Sequence, residues 1–149
     1  MPGSVRCAPR GLADADPGIA LRVIQGAHGP GETPMSSRFK PVRNTPNNVS
    51  SRADATDRQH YVAPLADCTV ADVCTIVASL PRARKVEASE DYAHYVFTTL
   101  LFRFQDDVQI EQGTGCVHIR SASRVGRSDL GTNRRRVEQI RSRLARLAR

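Results

Sequence analysis

From Arg84 to Ser123 the sequence alternates apolar and polar residues, cut by turn residues at Ser89-Glu90-Asp91 and Gly113-Thr114-Gly115. This alternation puts successive side chains on opposite faces of a strand, and segments this close in sequence pair antiparallel through short turns. The stretch therefore predicts four antiparallel strands near 84–88, 92–99, 102–111 and 116–122. Val108, Ile110, Val117 and Ile119 face a core, while Gln109, His118 and Arg120 face outward. One sheet face is then wet, or covered by a partner. Gly113-Thr114-Gly115 is too short for a dinucleotide loop and lies between two strands, so it reads as a hairpin turn.

Outside this region the period becomes helical. Thr69 offers an N-cap and Asp72 a first-turn carboxylate, and Val73, Ile76, Val77 and Leu80 share one helical face. Pro81 ends this helix at 80, because the residue before a proline is pushed out of the α region. A second helix over 130–147 carries a stripe of Leu130, Val137, Ile140, Leu144 and Leu147. Asn133 projects into that stripe, whereas Arg135, Arg143, Arg146 and Arg149 project away from it. His60-Tyr61-Val62-Ala63-Pro64 is short, partly β-branched and stopped by proline, so it reads as an edge strand. Together these elements predict an α+β fold, an antiparallel sheet of four or five strands with both helices packed on one face.

Residues 1–41 hold six prolines and six glycines and no apolar period, the composition of a disordered leader. Met35 lies inside it, making residues 1–34 a candidate overextension of the start. Residues 42–149 form the single domain. No apolar run reaches the roughly 18 residues of a membrane span. The N-terminus also lacks the basic and apolar regions of a signal peptide, so the chain reads as soluble and cytoplasmic. Cys7, Cys68, Cys74 and Cys116 show no framework spacing, which suits reduced thiols.

Three strings carry a resemblance. Pro46-Asn47-Asn48-Val49-Ser50-Ser51, His60-Tyr61-Val62-Ala63-Pro64-Leu65, and Phe102 to Val108 followed by Ile119 to Val137 resemble the domain of unknown function 1499 family over roughly residues 42–147. Many relatives resemble Cys-Pro-x-Ser-Pro-Asn-Cys-Val-Ser-Ser in the first string. Here those two cysteine positions are Val42 and Asn48, so no redox or metal role of those cysteines carries over. The resemblance implies domain boundaries and a choice of segment, and no reaction.

Function classes narrow by elimination. His28, His60, His94 and His118 stand one per segment without ligand spacing, and no cofactor motif is present, so the expectation is no metal and no cofactor. Seven arginines against one acid, Glu138, from residue 134 onward hold nearly all of the net charge of +7. That basic helix lacks aromatic residues, which disfavours nucleic acid as a partner and leaves it as an alternative. The strand-to-helix junction over 120–136 concentrates Ser121, Ser123, Arg124, Asp129, Asn133 and Arg134, next to a helix start that suits an anion. Asp129 is also placed to act as that helix's N-cap. The expected function is a non-enzymatic binding module at this junction for an anionic or polar ligand or a protein partner. The alternative is an enzyme of unknown reaction using the junction with Asp106 or Asp107. Those two carboxylates point to opposite faces of their strand, so one is expected to pair with an arginine and the other to be solvated.

Overall fold

The alternating stretch forms the centre of a six-stranded open antiparallel sheet. The computed structural model describes residues 37–148, so residues 1–36 of the leader expected over 1–41, and the terminal Arg149, lie outside the described residues. In chain order the elements are β1 (Asn48–Ser50), β2 (Leu65–Ala66), α1 (Val70–Ser79), β3 (Ala83–Ala88), β4 (Tyr92–Thr98), β5 (Gln105–Gly113), β6 (Cys116–Ser123) and α2 (Thr132–Leu147). The sheet runs β1-β6-β5-β4-β3, with β2 also paired to β6. Val108 sits between Tyr95 on β4 and Ser121 on β6.

Both helices cover one face. Thr69 and Asp72 cap α1 reciprocally, each side chain accepting from the other's backbone N–H. Beneath α1 and α2, Val108, Ile110, Val117 and Ile119 of the sheet meet Val73, Val77, Val137 and Ile140, all fully buried. Burying each such side chain stabilises the fold by roughly 1.5–3 kcal/mol.

Four local expectations are corrected. The segment 60–64 makes a single bridge, Tyr61 to Ser50, and the strand follows it as β2, because Pro64 cannot donate to a ladder. The β4–β5 connection spans 99–104 rather than a tight turn, closed by Thr99 N–H to the Phe104 carbonyl at 2.8 Å. α2 starts at Thr132, not Leu130. Leu130 and Gly131 both adopt positive φ, 52° and 78°, and this double left-handed step throws Leu130 out to 83% exposure. Leu147, placed in the stripe by its spacing, is also exposed.

The outward-facing row is correctly oriented, but it is not wet. Gln109 and Arg120 are buried, because residues 37–43 lie across them. The Arg38 carbonyl accepts from Gln109 Nε2 at 3.4 Å, Arg38 N–H donates to Glu111 at 2.8 Å, and the Arg38 guanidinium lies 3.8 Å from the Tyr92 ring centre. The chain supplies its own cover. Arg120 donates to Gln109 Oε1 at 3.1 Å while its Nε has no partner, and burial lowers its pKa.

Candidate functional site

At the β6–α2 junction, Asn133 is completely buried and joins three segments. Its Nδ2 lies 2.6 Å from Asp129 Oδ2, 2.9 Å from Ser123 Oγ and 3.1 Å from the Asn47 carbonyl. Its Oδ1 accepts from Ser121 Oγ at 2.6 Å and Arg136 Nη1 at 2.9 Å. The expected N-cap role of Asp129 is corrected: Gly131 occupies the cap and has no side chain. Asp129 instead serves from two residues upstream, accepting from Gly131 N–H at 2.9 Å and Asn133 N–H at 2.8 Å. Asn47 closes the ring by donating to the Gly126 carbonyl at 2.6 Å. Its neighbour Asn48, at one of the family's cysteine positions, ties the turn 43–48 through bonds to both backbone groups of Arg43.

The two aspartates diverge across the sheet. Asp106 faces the helices and pairs with Arg136 at 2.7 Å, the arginine side chain being 10% exposed and the aspartate 3%. Asp107 faces the other side and binds Arg124 in a two-pronged pair, 3.0 and 2.8 Å, with His94 Nε2 donating at 2.7 Å. Burial pushes the Asp107 carboxyl up, but the hydrogen bonds and charges of Arg124 and His94 outweigh it and hold it below its ordinary value. The expectation that one aspartate would be solvated is therefore corrected, since both are paired. Arg124 also donates to Gln105 Oε1 at 2.6 Å, so its donors are engaged within the protein. His94 and His118 do not meet: His118 faces Ser51 at 3.1 Å. Among the described residues no group of three or more His, Cys, Asp or Glu could hold a metal.

Arg134 turns away from the Asn133 network and donates to the carbonyls of Tyr61, Arg58 and Gln59 at 2.9–3.1 Å. Arg141 reaches the carbonyls of Ala63 and Pro64, and Arg143 reaches Ser79 Oγ. Much of the basic helix thus fastens its own chain. Between α2 and the α1–β3 turn lies an open groove of about 740 Å³. Leu80, Pro81 and Phe97 give it apolar lining, and Arg82, Arg134, Arg135 and Arg136 give it charge. Arg136 lies over Phe97, 4.5 Å from the ring centre. The junction therefore brings Ser121, Ser123, Asp129 and Asn133 together as one network, places Arg124 and Asp107 on the far side of the sheet, and aims Arg134 at the 58–61 loop.

Sequence reasoning passed over Arg136, Arg82 and Asn47. The signal for Arg136 was its position three residues after Asn133, on the inward side of the helix. Asn47 stood in the string that carries the family resemblance but offered no charge or periodicity to single it out.

An open antiparallel sheet with two helices on one side and an arginine-walled groove at their edge defines a small α+β domain. Within that class the chain belongs to the family described as protein of unknown function (DUF1499), which residues 38–144 match. Comparisons with curated proteins and with solved structures give no match.

Proposed function

We propose that the domain is a non-enzymatic binding module that holds a small anionic ligand in the groove beside the start of α2. One observation carries this reading. Arg82, Arg134 and Arg135 line the groove while hydrogen-bonding neutral oxygens, those of Thr98, of the 58–61 loop, and of Leu130 and Thr132. Among the described residues no ion pair joins them to a carboxylate, and the groove's one acid, Glu138, is paired with Arg141 at 3.1 Å. Cationic rims over an apolar floor suit an anion that also carries a flat or apolar body. Ser121, Ser123, Asp129 and Asn133 then position the groove wall and do not touch the ligand.

The ion pairing of Asp106 and Asp107 on opposite faces favours binding over an acid–base reaction at these residues. The basic helix lacks aromatic residues on which bases could stack, which disfavours nucleic acid as the ligand. The test is melting temperature across a panel of phosphate-bearing and carboxylate-bearing metabolites. A ligand at about a hundred times its Kd adds roughly 2.7 kcal/mol, a shift of several degrees. That rise is expected in wild type and in Arg124→Ala, and absent in Arg82→Ala/Arg135→Ala. Equal protection of all three, or no protection of any, overturns the groove as a site.

A further inference from the structure

The sheet end that carries the groove also carries the β4–β5 loop. There Leu100, Leu101 and Phe102 are 79%, 80% and 68% exposed, and Phe104 is 47% exposed. This loop is ordered by its own bonds: Phe104 N–H donates to Thr99 Oγ1 at 2.9 Å, and the Phe102 and Phe104 rings stack 5.5 Å apart. Arg103 sits at φ 53°, a left-handed conformation that costs a non-glycine residue. A closed loop thus holds three consecutive bulky apolar side chains in water, against both burial and backbone preference. The hairpin turns at the opposite end of the sheet, Ser89-Glu90-Asp91 and Thr114-Gly115, are short and lack large apolar residues. Val125 and Leu130, 51% and 83% exposed on the β6–α2 connection, extend the apolar surface at the loop's end of the sheet.

Arg103 lies in the loop and Arg82 donates to the Thr98 carbonyl at its base, while Arg127 lies on the β6–α2 connection and Arg135 in the first turns of α2, and all four are exposed. The nearby carboxylates are internally bonded, Asp106 to Arg136, Asp107 to Arg124 and Asp129 to the α2 start. We infer that this end of the molecule docks on an anionic lipid surface, with Leu100, Leu101 and Phe102 entering the interface and the arginines meeting headgroup phosphates. The charge pattern fits such a surface, which is anionic at its rim and apolar beneath. A single hairpin tip is too small for a stable dimer, which buries about 800 Å² per partner, whereas a bilayer accepts an isolated wedge. Among the described residues no helix is long and apolar enough to cross a membrane. The inference shares Arg82 and Arg135 with the groove, whereas Leu100, Leu101 and Phe102 lie outside the groove lining and are tested separately.

The test is flotation of the full chain with vesicles of phosphatidylcholine alone and with an equal mixture of phosphatidylcholine and phosphatidylglycerol. Wild type is expected to float with the mixed vesicles, and at least about tenfold less with phosphatidylcholine alone or in high salt. Leu100→Ser/Leu101→Ser/Phe102→Ser should keep the wild-type melting curve and lose at least about tenfold of the bound fraction. Leu101→Asp, a smaller change, should lower binding in the same direction and serves if the triple variant unfolds. Failure of wild type to float overturns the inference. So does equal flotation of Leu101→Asp, which would assign binding to the basic helix alone. Concentration-dependent self-association that Leu101→Asp abolishes, with no flotation, would assign the tip to a second copy instead.

Discussion

Asn133 meets Asp129 twice: its backbone N–H and its Nδ2 donate to the same carboxylate oxygen at 2.8 and 2.6 Å. The first turn of α2 is thereby tied to the residues that precede it, and through Asn47 and Ser123 to the sheet. Each buried polar group left without its partner costs about 1–3 kcal/mol. Asn133→Leu, of similar size, is expected to lose at least about 2 kcal/mol in urea denaturation, since it strands several groups at once. Asp129→Ala should lose about 0.5–2 kcal/mol, the value of a helix cap. A smaller loss for Asn133→Leu than for Asp129→Ala would refute the central place given to Asn133.

Arg136 and Asp106 form a buried pair under the cover of α2. Removing one partner leaves the other charged and desolvated, so Arg136→Ala should cost about 3–5 kcal/mol. Arg136→Met/Asp106→Leu removes both charges and should be less destabilised than Arg136→Ala. If the double variant is the worse of the two by chemical denaturation, the pair contributes more than it costs to desolvate.

Within α2 the apolar positions separate by burial. Ile140 is fully buried and Leu147 is exposed. Ile140→Ala is expected to cost about 2–5 kcal/mol and Leu147→Ala under about 0.5 kcal/mol. Leu144, partly buried against the core, should fall between them. A large loss at Leu147 would place the helix end in an interface.

Acid should weaken the fold in two steps. Burial, followed by the charge of Arg52, holds His118 below its ordinary value of 6.5 despite Glu111. The unfolded chain therefore takes up that proton first, so the stability this ring contributes is complete above about pH 6.5 and declines as pH falls below it. Asp107 is likewise lower in the folded state than its ordinary 3.8. Its contribution is present above that value and is lost as pH falls through the lower folded one. His118→Gln should erase the first decline and Asp107→Asn should reduce the second, to which Asp57 and Asp54, also held low, contribute, in melting curves taken from pH 8 to pH 3, a range set by the ordinary His and Asp pKa values. A His118 ring titrating above 6.5 by NMR would reverse the first sign.

The long hairpins were legible because Val108, Ile110, Val117 and Ile119 repeat the two-residue period over enough length to be read, and α1 because Thr69 and Asp72 write its cap in side chains. β1 and β2 were not, since two or three residues cannot display a period. Leu130 misled because spacing alone ignores backbone hand: two successive positive-φ residues remove it from the stripe it matches. The polar junction was found as a segment, yet its division was hidden. The two-residue period already put Asp106 and Asp107 on opposite faces, but only the structure shows that both are paired, with Arg136 and with Arg124, and only the path of residues 37–43 explains why Gln109 and Arg120 can be polar and buried together.

The bond from Asn133 to the Asn47 carbonyl joins residues 86 positions apart in sequence. During synthesis Asn47 is exposed to the cell long before its partner exists, whereas the hairpins of β4, β5 and β6 close over short distances as they emerge. The 37–43 strap has the same handicap, because its anchors on Glu111 and Ser123 also come late. The earliest described residues to be made therefore wait for partners that are made late. Until they pair, the Arg120 row of the sheet lacks its cover, and an uncovered sheet face is a site for misassembly.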